Sequence, residues 1–320
     1  MSDPVPKRSA VLLMGPTGSG KSDLAVRLAE HLPLEIVSVD SALVYRGMDI
    51  GTAKPSLRIR ERIPHHLIDI RDPAAGYSVG EFILDVQQAM QGIWSRGHQP
   101  LLVGGTMMYF HALTAGIADL PEANLRVRAE IDARAAEAGW MAVHQELAAV
   151  DPEAAARIHG NDPQRIQRAL EVHRITGETI TKLQQVRVSV FADVNVIEFA
   201  LAPLERGELH TKIELRFKAM LEAGFVDEVR NLYERGDLSP EHPSMRAVGY
   251  RQLWRYLAGQ SALNEATEQA IAATRQLAKR QLTWLRRRAD ARWMDSMRSD
   301  VARTIFDALS EGGFANWSNL

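Results

Sequence analysis

The chain contains no cysteine. Disulfides, thiolate zinc sites and cysteine nucleophiles are therefore excluded, and a cytoplasmic location is expected. It has no apolar run long enough to span a bilayer and no signal-peptide pattern at its start, so no membrane partner is expected. It has no excess of either charge: 38 Lys and Arg stand against 40 Asp and Glu, a net of −2. That balance argues against indiscriminate nucleic-acid binding, and a nucleic-acid partner would need a localised basic patch. Internal repeats and low-complexity segments are also absent. What is present is a 320-residue chain, 46% apolar and 24% charged. These are the proportions of a soluble globular protein, and the length is enough for a large core and two domains. The chain is expected to act as a monomer, an expectation that does not come from its composition. Met1 to Ser9 carries two prolines and two basic residues and is expected to fray.

One stretch organises the rest: Gly15-Pro16-Thr17-Gly18-Ser19-Gly20-Lys21-Ser22. The apolar run Ala10 to Met14 before it reads as a buried strand, and Ser22 to Glu30 after it as a helix. Strand, glycine loop, Lys-Ser and helix are the context of a phosphate-binding P-loop. The glycines let successive N–H groups turn inward around phosphate oxygens, and the helix N-terminus adds positive charge. Lys21 would neutralise the outer phosphate, and the Ser22 hydroxyl would hold Mg2+. Taken alone the motif reads as an ATP- or other nucleotide-binding loop. It names a phosphate, not a reaction.

Further strands are expected at Glu35 to Asp40, His66 to Ile70 and Leu101 to Val103. Ser78 and Glu81 form a capping box for a helix to about Arg96, with an apolar stripe of Phe82, Val86, Met90 and Ile93. Alternating strands and helices imply an α/β fold with a parallel sheet, whose ligands sit at the carboxyl ends of the strands. Asp40, Asp69 and Thr106 follow expected strands and are expected to converge there. From Asp119 only helices are expected: Glu122 to Gly139, Trp140 to Val150, Pro152 to Ile158, Pro163 to Thr176 and Glu178 to Val186. A strand returns at Val194 to Leu201. Helices follow at His210 to Ala223, Phe225 to Arg235, Met245 to Leu257 and Leu263 to Arg288, then a strand at Ala291 to Met294 and a last helix. The domains are therefore expected to be 1–118, an inserted helical domain 119–193, and 194–320.

Asp40 has three readings: a magnesium ligand, a general base, or a turn cap. Thr106 is an N-cap for Met107 to Leu113 that, after two glycines, also admits close approach of a ligand. Asp162 caps the helix that Pro163 opens, and Gln164, Arg165 and Arg168 on its first turns suit either solvent or nucleic acid. Near the C-terminus, Arg275, Lys279 and Arg286 form one helical stripe, with Gln276, Arg280 and Arg287 beside it and Thr283 between. Ile271, Thr274, Ala278, Leu282 and Leu285 make the opposite, buried row. Cations without an acid among them read as a phosphate-contacting face. His65-His66 has no partner at metal-ligand spacing and reads as structural.

These motifs resemble the bacterial tRNA dimethylallyltransferases, or isopentenyl-tRNA transferases. The matching segments are Gly15 to Ser22, Val39 to Tyr45, Gly47 to Pro55, Gly104 to Thr106, Asn161 to Val172, Val248 to Gln252 and Arg275 to Leu285. The resemblance implies a P-loop NTPase-like sheet with an inserted helical domain. It also implies transfer of a dimethylallyl group from dimethylallyl diphosphate to an adenine beside the anticodon. It gives the proton-accepting role to Asp40. Thr106 lies near the adenine in this reading. The P-loop, Lys21, Mg2+ on Ser22 and Arg216 meet the diphosphate, and Arg165 meets either diphosphate or tRNA. The target base would be flipped out of the anticodon stem-loop. Contacts with tRNA are implied for Asp40, Ser41, Ala42, Leu43 and Thr106. They are also implied for Gln164, Arg165, Ile166, Gln167 and Arg168, and for Arg246, Gly249, Tyr250 and Arg251. On the basic helix they fall to Arg275, Gln276, Lys279, Arg280, Thr283 and Arg286. The rivals are a P-loop kinase of a small metabolite, an adenylate dimethylallyltransferase acting on free AMP, and a nucleotide-switched RNA-binding protein.

Overall fold

The computed structural model describes residues 8–118, 120–185 and 189–310. The fraying expected of Met1 to Ser9 falls mainly outside them, as do the boundary residue Asp119 and the helix end at Val186. Six strands form one sheet: β1 (Ser9–Met14), β2 (Leu34–Val39), β3 (His65–His66), β4 (Gln99–Gly104), β5 (Asn195–Ala202) and β6 (Arg292–Asp295). Their order is β3-β2-β4-β1-β5-β6, and every pairing is parallel. All of β1 is buried, as a strand covered on both faces requires, hence its unbroken apolar run.

One face of the sheet carries α1 (Lys21–Ala29), whose Leu24 and Leu28 join Val11, Leu13, Leu101 and Phe199 in a shared core. A short α2 (Leu57–Arg62) follows. The opposite face receives α3 (Val79–Ser95), with Phe82, Val86, Met90 and Ile93 buried as the stripe predicts. Its capping box is complete: Ser78 accepts from the Glu81 N–H at 3.1 Å and Glu81 accepts from the Ser78 N–H at 2.8 Å. Then comes α4 (Met107–Ala115).

The chain divides into two compact units, Met1–His111 with Asp193–Leu320, and Ala112–Ala192. The second holds α5 (Leu125–Ala138), α6 (Trp140–Val150), α7 (Pro152–Arg157), α8 (Pro163–Thr176) and α9 (Ile180–Leu183). Ile131, Val143, Leu147, Ile166 and Leu170 fill its core. Glu171 is fully buried there and fully used. It accepts from the Asn124 N–H at 2.8 Å, from Arg128 at 2.8 and 3.0 Å, and from Arg168 at 2.7 Å.

The first unit resumes with α10 (Arg206–Glu222), α11 (Phe225–Glu234), α12 (Tyr250–Leu257), α13 (Leu263–Leu285) and α14 (Val301–Leu309). α14 completes the core beneath α1. α10 to α13 enclose a separate core, with Phe217, Phe225, Val229 and Tyr250 packed on Val44, Tyr45 and Met48.

Two expectations change. The strand at His66 to Ile70 shrinks to β3, because Leu67 and Asp69 take positive φ of 63° and 59°, which no extended ladder tolerates. The helix expected from Met245 starts at Tyr250, after Gly249 at φ 94°. A Cβ on Gly249 would stand 2.9 Å from the Phe225 ring, so a glycine turn occupies what apolar spacing alone reads as helix.

Candidate active site

The register aligns Met14 and Val39 with Gly104 across β1, β4 and β2, so three loops leave the sheet side by side. The Gly15 N–H donates to the Gly104 carbonyl at 3.3 Å, and the Thr106 N–H to the Val39 carbonyl at 3.3 Å. This closeness demands glycine: a Cβ on Gly104 would lie 1.9 Å from the Val39 carbonyl oxygen, and one on Gly15 2.4 Å from that of Leu201.

In the P-loop, Gly18 and Gly20 adopt φ of 84° and 82°. Gly20 caps α1 without a side-chain acceptor, so no side chain competes with an anion for the N–H groups of the first turn. Burial lowers the Lys21 pKa to about 8, against the pull of Asp40 and with the repulsion of Arg216. Lys21 Nζ rests 3.3 Å from the Pro16 carbonyl. Arg216, from α10, donates to Thr17 Oγ1 and is likewise lowered by burial. Two cations facing one carboxylate leave excess positive charge in a desolvated site, the environment for an anionic ligand.

Asp40 lies just beyond β2. One of its oxygens accepts from the Ala42 N–H at 2.8 Å, so the turn-cap reading is realised in part while the carboxylate still borders the cavity. Thr106 Oγ1 accepts from the Ser41 N–H at 3.1 Å. That bond ties the loop after β4 to the loop after β2. Asp69 does not converge with them. It is held by Lys54 and Arg60, each at 2.6 Å, and its pKa is lowered because these bonds outweigh burial.

The cavity measures about 150 Å³. A single water needs only roughly 10–15 Å³, so a small organic molecule fits. Thr17, Lys21, Ser22, Asp40 and Arg216 supply its polar lining, and Ile213, Phe217, Met220, Val248 and Leu277 its apolar wall. Edge-to-face contacts from Phe217 to Phe225 at 5.9 Å and from Phe225 to Tyr250 at 4.9 Å stiffen that wall.

Other expected contact residues separate. Lys279, Arg280, Thr283 and Arg286 are exposed on or at the end of α13, with Gln276. Arg275 is half-buried, and Glu214 of α10 takes it at 2.9 Å, so the face is less uniformly positive than the helix alone suggests. Arg246 and Arg251 are exposed. Tyr250 is not: it is fully buried, its phenol donates to Glu228 at 2.5 Å, and it borders the cavity. Gly249 is buried beside it.

On α8, Gln164 and Arg165 are exposed. Ile166 is core, so its side chain packs within the helical unit. Gln167 donates to Asp132 at 2.6 Å. Arg168 is committed to Glu171 and, at 2.7 Å, to the Pro121 carbonyl. Ser41 is exposed, while Ala42 and Leu43 border the cavity.

Sequence reasoning missed two residues. Gln281, on α13, bridges the Thr17 N–H and the Gly105 carbonyl, both at 2.8 Å. Glu228, on α11, accepts from the N–H groups of Asp49, Ile50 and Gly51 at 2.8, 2.6 and 3.0 Å. It thereby fixes the loop whose Gly51, Thr52 and Ala53 line the cavity. The one signal for Gln281 in the chain is an amide on an otherwise inward-facing row.

A family model described as IPP transferase matches residues 43–288. This chain belongs to the IPP transferase family. A tRNA dimethylallyltransferase of Nitrosococcus oceani is 58% identical over 291 residues, 91% of this chain and 93% of that protein. The crystal structure of the tRNA isopentenylpyrophosphate transferase of Bacillus halodurans superposes with a TM-score of 0.69 at 36% identity, covering 97% and 99% of the two chains. A eukaryotic dimethylallyltransferase captured acting on tRNA gives a TM-score of 0.83 at 26% identity, covering 97% of this chain and 80% of that one. The family extends over both the sheet and the helical unit.

Proposed function

We propose that this chain transfers the dimethylallyl group of dimethylallyl diphosphate to the exocyclic amine of the adenine next to the anticodon in tRNA, releasing diphosphate. The observation that carries the reading is one cavity whose lining combines Thr17, Lys21, Ser22, Asp40 and Arg216 with Ile213, Phe217, Met220, Val248 and Leu277. A diphosphate suits the first set and a five-carbon chain the second.

The exocyclic amine is a weak nucleophile, because its lone pair is delocalised into the ring. As its bond to the allyl carbon forms and the carbon–oxygen bond breaks, Asp40 accepts the amine proton. Lys21, Arg216 and the P-loop N–H groups stabilise the charge that builds on the departing diphosphate. Thr106, bonded to Ser41, holds the Asp40 turn beside the incoming base.

Magnesium fits these donors. The Ser22 hydroxyl and the Asp40 carboxylate both border the cavity, and Mg2+ is usually held by one or two carboxylates plus substrate phosphates. Ser22 would hold it, and when bound it would neutralise diphosphate charge. Exposed Lys279, Arg280 and Arg286 on α13, and Gln164 and Arg165 on α8, are the residues we assign to the tRNA backbone.

A kinase reading accounts for the P-loop but not for the apolar lining of the cavity, and a nucleotide-switch reading is weakened because Val103 is followed by Gly104-Gly105-Thr106 rather than by an acid. Among the described residues no helix is long and apolar enough to cross a membrane. A cytoplasmic monomer remains our reading. The deciding experiment is mass spectrometry of tRNA incubated with the protein, magnesium and dimethylallyl diphosphate. A five-carbon addition at the adenine beside the anticodon is expected. An unmodified tRNA alongside ATP-dependent phosphorylation of a small acceptor would overturn the reading.

A further inference from the structure

The outer face of α13 carries Lys279, Arg280 and Arg286, but the Gln281 side chain of the same helix borders the cavity. Its Oε1 accepts from the Thr17 N–H and its Nε2 donates to the Gly105 carbonyl, both at 2.8 Å. One planar amide therefore joins the P-loop to the loop that carries Thr106. From Thr106 the connection continues through the Ser41 N–H, at 3.1 Å, to the residue after Asp40. At neutral pH an amide supplies an acceptor and a donor at this spacing in one uncharged group, where a carboxylate supplies acceptors alone. The fit is close: a Cβ on Gly105 would stand 2.5 Å from Gln281 Nε2 and 3.2 Å from the Gly15 carbonyl.

We infer that Gln281 is a positioning residue that sets the distance between the diphosphate cradle and the Asp40–Thr106 pair. The inference rests on the transfer reading above. In that reaction the allyl carbon lies between the leaving oxygen, held by the P-loop, and the amine, deprotonated by Asp40. The reacting atoms must approach along one line, and displacement of either partner by about 1 Å costs on the order of 100-fold in rate. Gln281 is hydrogen-bonded to both loops at once. Neither of its partners is a side chain that could turn away.

The test uses Gln281→Met and Gln281→Glu in the full-length protein, with both substrates saturating. Gln281→Met keeps the length and loses both hydrogen bonds. It should lower kcat about 10- to 100-fold, with the melting temperature and the salt dependence of tRNA affinity unchanged. Gln281→Glu keeps an acceptor for the Thr17 N–H, but its carboxylate has no hydrogen for the Gly105 carbonyl. Protonation restores that hydrogen, so kcat of this variant, divided by wild-type kcat at the same pH, should climb as pH falls through the titration of the glutamate.

A packing role alone predicts losses that follow the melting temperature and a ratio that ignores pH. Wild-type kcat in Gln281→Met, or a flat ratio in Gln281→Glu, would overturn the inference. If Gln281→Met fails to fold, the pH dependence of the Gln281→Glu ratio decides alone. Wild-type turnover measured in parallel separates the two proposals. Its absence strikes the transfer reading, whereas a wild-type-like Gln281→Met strikes only Gln281.

Discussion

Lys21 is a lysine whose charge depends on working pH. Burial holds its pKa at about 8, well below the ordinary lysine value. Below that pH it is an ammonium ready for diphosphate; above it, the free protein loses the charge. The value of kcat/KM for dimethylallyl diphosphate should therefore fall above about pH 8, because that ratio reports the free enzyme. The corresponding limb of kcat should lie at higher pH, since bound diphosphate favours the ammonium. A ratio that stays flat from about pH 7 to about pH 10 would remove Lys21 from diphosphate binding. Lys21, Ser22 and Asp40 were legible because a local pattern and the order of strands place them. Gln281 was not, since its partner Thr17 lies 264 positions away and nothing local marks the pairing. Tyr250 and Arg168 show the same limit: nothing local in the chain announces that each is bonded to a carboxylate within the fold, Glu228 or Glu171.

At the scale of elements, α13 has two tasks on two faces. Ala270, Thr274, Ala278 and Leu282 are buried while Lys279, Arg280 and Arg286 face outward. Replacing Lys279 and Arg286 together by Gln should flatten the log–log dependence of tRNA affinity on salt, by roughly one unit for each phosphate that is no longer neutralised. Dimethylallyl diphosphate binding should not change. Binding measured across a salt series decides, and an unaltered slope would mean that neither side chain meets phosphate. Periodicity made α13, α3 and α8 readable nearly to the residue. It failed where backbone conformation decides: at β3, broken by left-handed Leu67 and Asp69, and before α12, delayed by Gly249. Apolar spacing carries no information about the sign of φ, so such errors are expected at positions of this kind.

At the scale of the molecule, the amino end of the sheet has its own polar node, at the far end of the strands from the cavity. Glu35 of β2 is buried. It accepts from Arg96 at 2.9 and 2.7 Å and lies 2.7 Å from His66 and 3.0 Å from His98. Burial raises its pKa, but the bonds from Arg96 and His66 overcome this and hold it at about 2. A carboxylate lowered on folding stabilises the fold above its unfolded value, near 4.3. That contribution disappears as pH falls through about 2. Glu35→Gln should cost about 1–3 kcal/mol, read as a lower melting temperature at neutral pH. It should leave kcat at permissive temperature alone, and a change in kcat without a change in melting would place Glu35 in the chemistry.

The sheet that these groups hold together is drawn from both ends of the chain, with Ser9 opposite Asn195 and Ala200 opposite Trp293. Translation delivers Ala112–Ala192 as one uninterrupted piece, whereas β1 waits for β5. At about 5–20 residues per second that wait is roughly 10–40 s. Throughout it the ribosome carries an open apolar strand edge, which makes the nascent P-loop half a natural client for chaperones.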